Sequence, residues 1–550
     1  MKRSWRIMRE WLRYSCFLFV LLGVGVSFAG TCEEWVAQVV SVEGNVEAKT
    51  ADEPLWMPVT LNSTFCAGDT IRVLDNSRAE LSLVNQPVLR LDQNSTITLG
   101  GVQEERTFFV DLIKGAAHFF SRAPRSISVN TAFVNAGVEG TEFFVRAGDD
   151  ETFISVFEGK VLAKNDLGSL GIASGQSAAA KAGQAPVARV VARPRDAVHW
   201  ALYYPPVLHV PAKEITAGDS FDPVYLASRA SNQLAVGRVD EANSDIDRIL
   251  RIDPGNSDAM SLQSIIALVQ NDKAKGLTLA QKAVAADPES ATAKVALSYN
   301  QQAQFDLEGA RATLEEAVQQ TPDNALAWAR LAEIHMSFGA LDKALDAAEK
   351  AAERDPNLSR TQTVLGYAYL TQVKTTEAKT VFKKAIELDQ ADPLPRMGQG
   401  LATIRDGDLA EGRRDLEIAA GLDPNNSMIR SYLGKAYFEE KNGKLDGREY
   451  AAAKELDPND PTPWFYDAIR KQTLNRPVEA LSDLQKSIEL NENRAVYRSK
   501  LLLDSDLAAR SSSLARIYNT LGFEQRGLVE GWNSVNTDPT NFSAHRFLSD

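Results

Sequence analysis

Histidine and cysteine are the side chains from which catalysis or metal binding is most often built, and this chain has few of either. Histidines stand at 118, 199, 209, 335 and 545, and cysteines at 16, 32 and 66. None falls into a His-Glu-x-x-His, Cys-x-x-Cys or Gly-x-Ser-x-Gly spacing, so neither a bound zinc nor an activated nucleophile is encoded in a recognisable way. The stretch "GVEGT" at 137–141 lacks the Gly-Lys-Ser/Thr ending that a phosphate loop needs. His335 recurs at a position where Tyr369 and Tyr437 stand in later repeats, which is the behaviour of a packing residue. The expectation is a non-enzyme with no metal and no cofactor. An enzyme would have to be built on residues such as His118 and Glu158. The one covalent feature expected is a disulfide between Cys32 and Cys66, with lipidation of Cys32 as the alternative, although Thr31 stands where a lipid-attachment signal wants Gly, Ala or Ser.

The redox environment follows from the N-terminus. Lys2, Arg3, Arg6, Arg9 and Arg13 precede the apolar run "YSCFLFVLLGVGV", which ends at the small-x-small pattern "SFAG". Residues 1–29 therefore read as a signal peptide cut after Ala29, its apolar run being short of the ~20 residues of a spanning helix. Export places the chain in a compartment where disulfides persist. Removing these residues takes the net charge from −13 to −17, which disfavours nucleic acid and anionic membrane surfaces as partners.

Between residues 36 and 185 the apolar residues alternate with polar ones in short runs: "RAELSLV", "VLRLDQNSTITL", "FFVDLIKGAAHFF", "ETFISVFEGKVLA". Period two with Gly, Asn and Asp between runs predicts strands with one buried face, arranged as a sandwich or a short-runged solenoid. The punctuation is more specific. Gly68-Asp69, Val138-Glu139-Gly140-Thr141, Glu158-Gly159 and Gly175-Gln176 follow one another in the order of the FecR-like domain family, which this region resembles. That resemblance implies an all-β domain. The sigma-factor-regulating role of some family members is not expected, because only about 13 residues precede the apolar run, too few to bury a core.

Residues 186–222 carry Pro at 186, 194, 205, 206 and 211, which excludes a continuous helix and predicts a linker. Within it "DAVHWALYY" gathers Trp200, Tyr203 and Tyr204, with Asp196 able to cap one short helix. These rings either dock the linker onto its neighbours or form an exposed patch for a partner or lipid headgroups.

From Pro223 the chain repeats every 34 residues for eight units. The eighth position is Ala230, Ser264, Ser298, Ala332, Gly366, Gly400, Gly434 and Ala468, small every time. The twentieth and twenty-seventh are mostly Ala or Gly, and the twenty-fourth is large in Ile246, Leu314, Phe382, Leu416, Tyr450 and Leu484. Paired helices whose axes approach to ~8–10 Å need small residues where they cross. An Asp-Pro dipeptide at 253, 287, 355, 423 and 457 ends the second helix of its unit, since proline cannot donate the helical hydrogen bond. Units such as "AWARLAEIHMSFGALDKALDAAEKAAERDP" resemble the tetratricopeptide repeat. The eight units span 223–494, a ninth unit lies at 508–541 after a thirteen-residue insertion at 495–507, and 542–550 opens a tenth. A solenoid ordinarily ends in a polar capping helix, and none is evident here. The expectation is therefore a longer natural chain, continuing in related architectures into an outer-membrane barrel, or a capping partner.

The fold class expected is thus multidomain: an all-β FecR-like domain followed by an all-α helical-repeat solenoid. In the resembled repeat family the partner-binding groove lies near unit positions two, five, nine and twelve. Carried onto this chain, these include Tyr299, Met336, Thr363, Tyr367, Met397, Lys435 and Phe438. The set is mostly apolar, which implies a hydrophobic or aromatic protein or peptide segment as partner. The functional expectation is a non-catalytic scaffold of the bacterial envelope, in the periplasm or associated with the outer membrane, acting in assembly, export or surface organisation. The alternative is a periplasmic sensor whose FecR-like domain recognises a glycan or small ligand.

Overall fold

The computed structural model describes residues 34–84, 88–103, 107–121, 126–139, 141–191, 199–208, 222–493, 496 and 503–550. The signal-peptide stretch, Cys32, Gly140, Asp196 and His209 lie outside the described residues.

Strands run from Ala37 to Arg189 and form two sheets. The long strand Thr107–Phe120 belongs to both. Its first half pairs with Thr96–Gln103 and, in parallel, with Ser126–Asn130. Its second half pairs with Val88–Leu91 and Glu142–Ala147. The handover falls at Gly115, whose φ of +91° and whose approach to Ser95, 2.3 Å from an added Cβ to Oγ, admit only glycine. Residues from both sheets fill a single core, among them Ile71, Leu89, Phe108, Phe119, Phe143 and Val156. The structure is therefore a sandwich, a choice that period-two alternation alone leaves open. Gly68, Gly159 and Gly175 all have positive φ. Asp69 accepts from the Cys66 and Ala51 backbone N–H groups at 2.8 and 3.1 Å, which shows why Asp follows Gly in that turn.

From Pro223 onward the described residues form nineteen α-helices in antiparallel pairs. The small positions are where the pairs touch. A Cβ on Gly400 would lie 2.6 Å from the Gly412 carbonyl oxygen, and one on Gly412 would lie 2.5 Å from that of Gly400. Gly366 and Gly434 lie against the large residues of the twenty-fourth position, the rings of Phe382 and Tyr450. The twenty-seventh position is fully buried from Ile249 through Ala453 to Ser487. One departure, Asp446 at a twentieth position, is buried in an ion pair with Arg470.

Both members of the Asp-Pro dipeptide act. The aspartates at 253, 287, 355, 423 and 457 cap the C-termini of second helices in extended or near-extended conformation. Oδ1 of Asp253, Asp287, Asp355 and Asp457 also accepts the N–H two residues later, at 3.0–3.1 Å. That bond closes the turn into the next first helix, which a side chain at 256, 290, 324, 392, 426 or 460 then caps.

Consecutive first helices touch each other far more than consecutive second helices do, so the array curves with first helices inside. The curvature brings distant units together. Gln302 Nε2 donates to the Val496 carbonyl at 2.7 Å, and Lys273 lies 4.0 Å from Asp457. Val496, within the insertion after the eighth unit, thus meets the third unit.

Candidate functional site

The inner face is not empty. Residues 199–208 lie along it: one 3₁₀ turn at 199–201, then irregular chain with bends at Leu202 and at Val207 and Leu208. Leu202, Tyr204 and Val207 are buried in a cluster with Leu226, Leu262, Ile265 and Val295 of the first three units. Ser231 Oγ donates to the Leu208 carbonyl at 2.8 Å. Further along, Leu202, Tyr203 and Pro205 face Tyr299, Arg360 and Leu394 across a cavity. The aromatic knot of the linker is therefore docked within the chain.

The β-sandwich packs against the same array at several places. Arg90, on the strand Val88–Leu91, is buried and donates to the carbonyl oxygens of Ala201 in the linker and Leu422 in the sixth unit. Its charge is met by Glu80 on the adjacent strand, at 2.9 Å. Burial lowers the Arg90 pKa to about 10, so it stays charged at neutral pH. Arg78 reaches the Trp200 carbonyl at 3.0 Å and that of Ala235 in the first unit at 3.3 Å. In the seventh unit, Arg430 bridges Glu142 of the sandwich at 2.6 Å and Glu449 of its own unit at 3.2 Å, with Phe120 under its guanidinium. Arg448 pairs with Glu158 at 2.7 Å. Val88 and Phe120 share an apolar cluster with Met397, Leu416 and Tyr437.

The seven groove residues fall into different surroundings. Tyr299 has Arg330 3.8 Å over its ring, and its hydroxyl accepts from Arg360 at 3.0 Å. Met397 lies under the sandwich, and Tyr367 packs edge-on to Phe382 while donating to the Leu394 carbonyl. Thr363 is buried and donates to the Ser359 carbonyl of its own helix. Met336 lies beside Trp328 and Val364, Lys435 sits 5.1 Å from the Tyr466 ring, and Phe438 is half-buried. Cys66 is disulfide-bonded. His118 is buried 3.4 Å from Glu142, its pKa lowered by burial, and His335 is buried as the repeat pattern predicts. Glu158, like His118, belongs to the sandwich's contact with the seventh unit. Among the described residues no group of three or more His, Cys, Asp or Glu could hold a metal, and no helix is long and apolar enough to cross a membrane.

Sequence reasoning missed Arg78, Arg90 and Arg430. The signal lay in "SRAELSL" and "VLRL", where Arg78, Glu80 and Arg90 occupy the outward face of strands whose inward face is apolar, with Glu80 opposite Arg90 in register. An outward charged face ordinarily reads as solvated, so the pattern alone gives no reason to bury it.

The contact is also sensitive to protons. Burial, and then the nearby Asp389 of the solenoid, push Glu43 up to about 8 from an ordinary 4.5. The native state holds this proton where an unfolded chain releases it, so the stabilisation is complete below about pH 4.5 and is lost as pH rises through about 8. Glu43→Gln is expected to melt at the same temperature as the parent at pH 4 and above it at pH 9. An equal difference at both pH values in thermal melts would refute this origin.

The geometry is that of a helical-repeat scaffold carrying a β-sandwich against it. The chain carries a FecR protein domain, matched over residues 69–162, followed by tetratricopeptide repeats, matched over 228–291, 301–366, 359–392 and 397–461. Repeat arrays of this kind are typical of non-catalytic scaffolds that bind protein or peptide partners. Among solved structures it is similar to the APC/C hetero-tetramer Cut9-Hcn1, at 15% identity and a TM-score of 0.50. That match covers 59% of this chain and 62% of the other, so the chain spans about three fifths of its relative's length. A putative anti-sigma factor from Parabacteroides distasonis matches at 18% identity over 25% of this chain and 68% of its own, with a TM-score of 0.22. YrrB, described as a TPR protein with an unusual peptide-binding site, matches at 20% over 34% and 95%, with a TM-score of 0.24. No curated protein matches the chain.

Proposed function

We propose that this protein is a non-catalytic scaffold of the bacterial cell envelope, exported by residues 1–29, whose repeat groove binds an extended aromatic or apolar polypeptide during assembly, export or surface organisation. The division into 36–185, 186–222, 223–494 and 508–541 is part of that proposal, as is partner contact through Tyr299, Met336, Thr363, Tyr367, Met397, Lys435 and Phe438. The observation that carries it is the occupant of the inner face. Residues Leu202–Leu208, "LYYPPVL", form an irregular, proline-stiffened segment whose Leu202, Tyr204 and Val207 bury themselves against first helices. A proline-stiffened segment loses little entropy on docking, and the same chemistry would hold a partner segment once the linker is displaced. Localisation in the periplasm or at the outer membrane rests on the export signal and the FecR domain.

The test is to weaken the internal occupant in the full chain with Leu202→Ala and Tyr204→Ala, then titrate a fluorescent peptide of sequence HWALYYPPVL. Saturable binding to the double variant and not to the parent is expected. A variant that keeps its helical circular dichroism and binds no peptide would overturn the proposal.

A further inference from the structure

Among the described residues each sheet of the sandwich ends in two strands that pair on one side only. Three of these four edges are short. Met57–Pro58 and Thr64–Phe65 have two residues each and Val187–Arg189 has three, with a proline in the first and Arg189 in the last. Short strands, proline and charge are the devices by which sheet edges avoid pairing with other chains. The fourth edge, Gly168–Ala173, has none of them. Its six residues, "GSLGIA", carry no charge and no proline, and they pair with Lys160–Asn165 in unbroken register.

That register also fixes which backbone groups are free. Asn165 and Gly168 close a two-residue hairpin, so they form a hydrogen-bonded pair, and Ala163–Leu170 and Val161–Ile172 follow in the same phase. Ser169, Gly171 and Ala173 therefore turn their N–H and C=O groups away from Lys160–Asn165. Ala173 bears out the phase: its N–H donates to Gln176 Oε1 at 2.9 Å, and its carbonyl accepts from the Gln176 N–H at 3.0 Å. No such partner meets the backbone of Ser169 or Gly171 among the described residues, and both residues are exposed. For Gly171 that exposure is all backbone. Contacts with the helical array come from the other sheet, which holds Arg78, Arg90, Phe120 and Glu142.

We propose that Gly168–Ala173 pairs antiparallel with the same strand of a second copy of this chain, about a two-fold axis through Leu170. That register sets Ser169 opposite Gly171 of the second copy and Gly171 opposite its Ser169. Four hydrogen bonds then take up the free groups of both strands, while Ala173 keeps Gln176. The two Leu170 side chains, each half-buried at the margin of the core, meet at the axis. Leu167, 58% exposed in the turn, comes opposite Ala173 of the second copy. The strand has no charge to oppose its own image, as a two-fold pairing demands. A six-residue ladder is small beside the ~1,200 Å² at which stable interfaces begin, so the dimer is reversible and depends on concentration. The edge belongs to the sandwich and leaves the repeat groove free, so it stands apart from the peptide-binding reading above.

Sedimentation equilibrium of the full-length protein, with Gly171→Pro beside the parent, is the test. Proline at 171 removes only a donor that points outward, which an edge strand tolerates. A reversible dimer of the parent is expected, with its dissociation constant raised about tenfold or more by the proline. A parent that stays monomeric across the concentration series would overturn the proposal, as would a dimer that Gly171→Pro leaves unchanged. If Gly171→Pro alters the circular dichroism, oxidative cross-linking decides. Leu170→Cys brings two cysteines across the axis with Cα atoms ~4.5 Å apart, within reach of a disulfide, whereas the two cysteines of Ser169→Cys are offset along the strands and beyond it. A covalent dimer from Leu170→Cys alone supports the pairing, and any other pattern refutes it.

Discussion

Arg430→Met is expected to destabilise the protein by about 3–5 kcal/mol and to uncouple the β-sandwich from the solenoid. Arg430 is 1% exposed and pairs with Glu142 across the contact and with Glu449 in its own unit, both buried as well. It also donates to the Pro424 carbonyl at 2.9 and 3.0 Å. Methionine replaces most of the volume and none of the charge, leaving Glu142 and Glu449 buried without the cation they share. Relief requires protonation or separation of the two parts, and at neutral pH separation relieves both carboxylates. Calorimetry of the parent should give one transition and of the variant two. Adding Glu142→Gln to the variant should recover part of the loss, because the removed charge no longer needs a partner. A single transition at the parental temperature for Arg430→Met would show that the ion pairs do not hold the parts together.

The second expected result concerns a sign. Glycine to alanine within a helix ordinarily stabilises by up to about 1 kcal/mol. Gly412→Ala is expected to do the opposite, with a net loss of about 1–3 kcal/mol. The added Cβ would lie 2.5 Å from both the Gly400 carbonyl oxygen and Ile404 Cγ1, so the two helices of the sixth unit must part. Helices that separate at their crossing lose contact along their length, including that of buried Leu416. Urea denaturation of the two proteins measures the difference. A midpoint raised by the alanine would mean the small positions of the repeat are not set by the approach of the helices.

The buried ion pairs and the occupied inner face bear on the same question, which is what the array can offer a partner. Met397 is already covered by the sandwich, and Tyr299 by the linker cavity and two arginines. On the groove reading proposed above, a partner would meet the half-buried Met336, Lys435 and Phe438 first. Its gain in affinity from the covered residues depends on moving segments that are held by Arg90, Arg78 and Arg430.

The sequence by itself determined the repeat, its helix pairing and its punctuation. A crossing that admits only small residues and a helix end that needs Asp-Pro are local demands, met within one unit and its neighbour, so they print at fixed spacing. It also determined the β-class of residues 36–185 and the turns at Gly68, Gly159 and Gly175, since alternation and positive φ are properties of single strands and single residues. The role of Asp253, Asp287, Asp355 and Asp457, each accepting the N–H two residues on, is equally local. Tertiary structure alone decided that the sandwich has two sheets sharing Thr107–Phe120, that Ala201–Leu208 fills the inner face, and that Arg90 and Arg430 join parts hundreds of residues apart. Those contacts depend on the curvature accumulated over eight units. A small rotation between neighbours, set by side-chain packing, brings remote segments together with no shared spacing in the chain to reveal it.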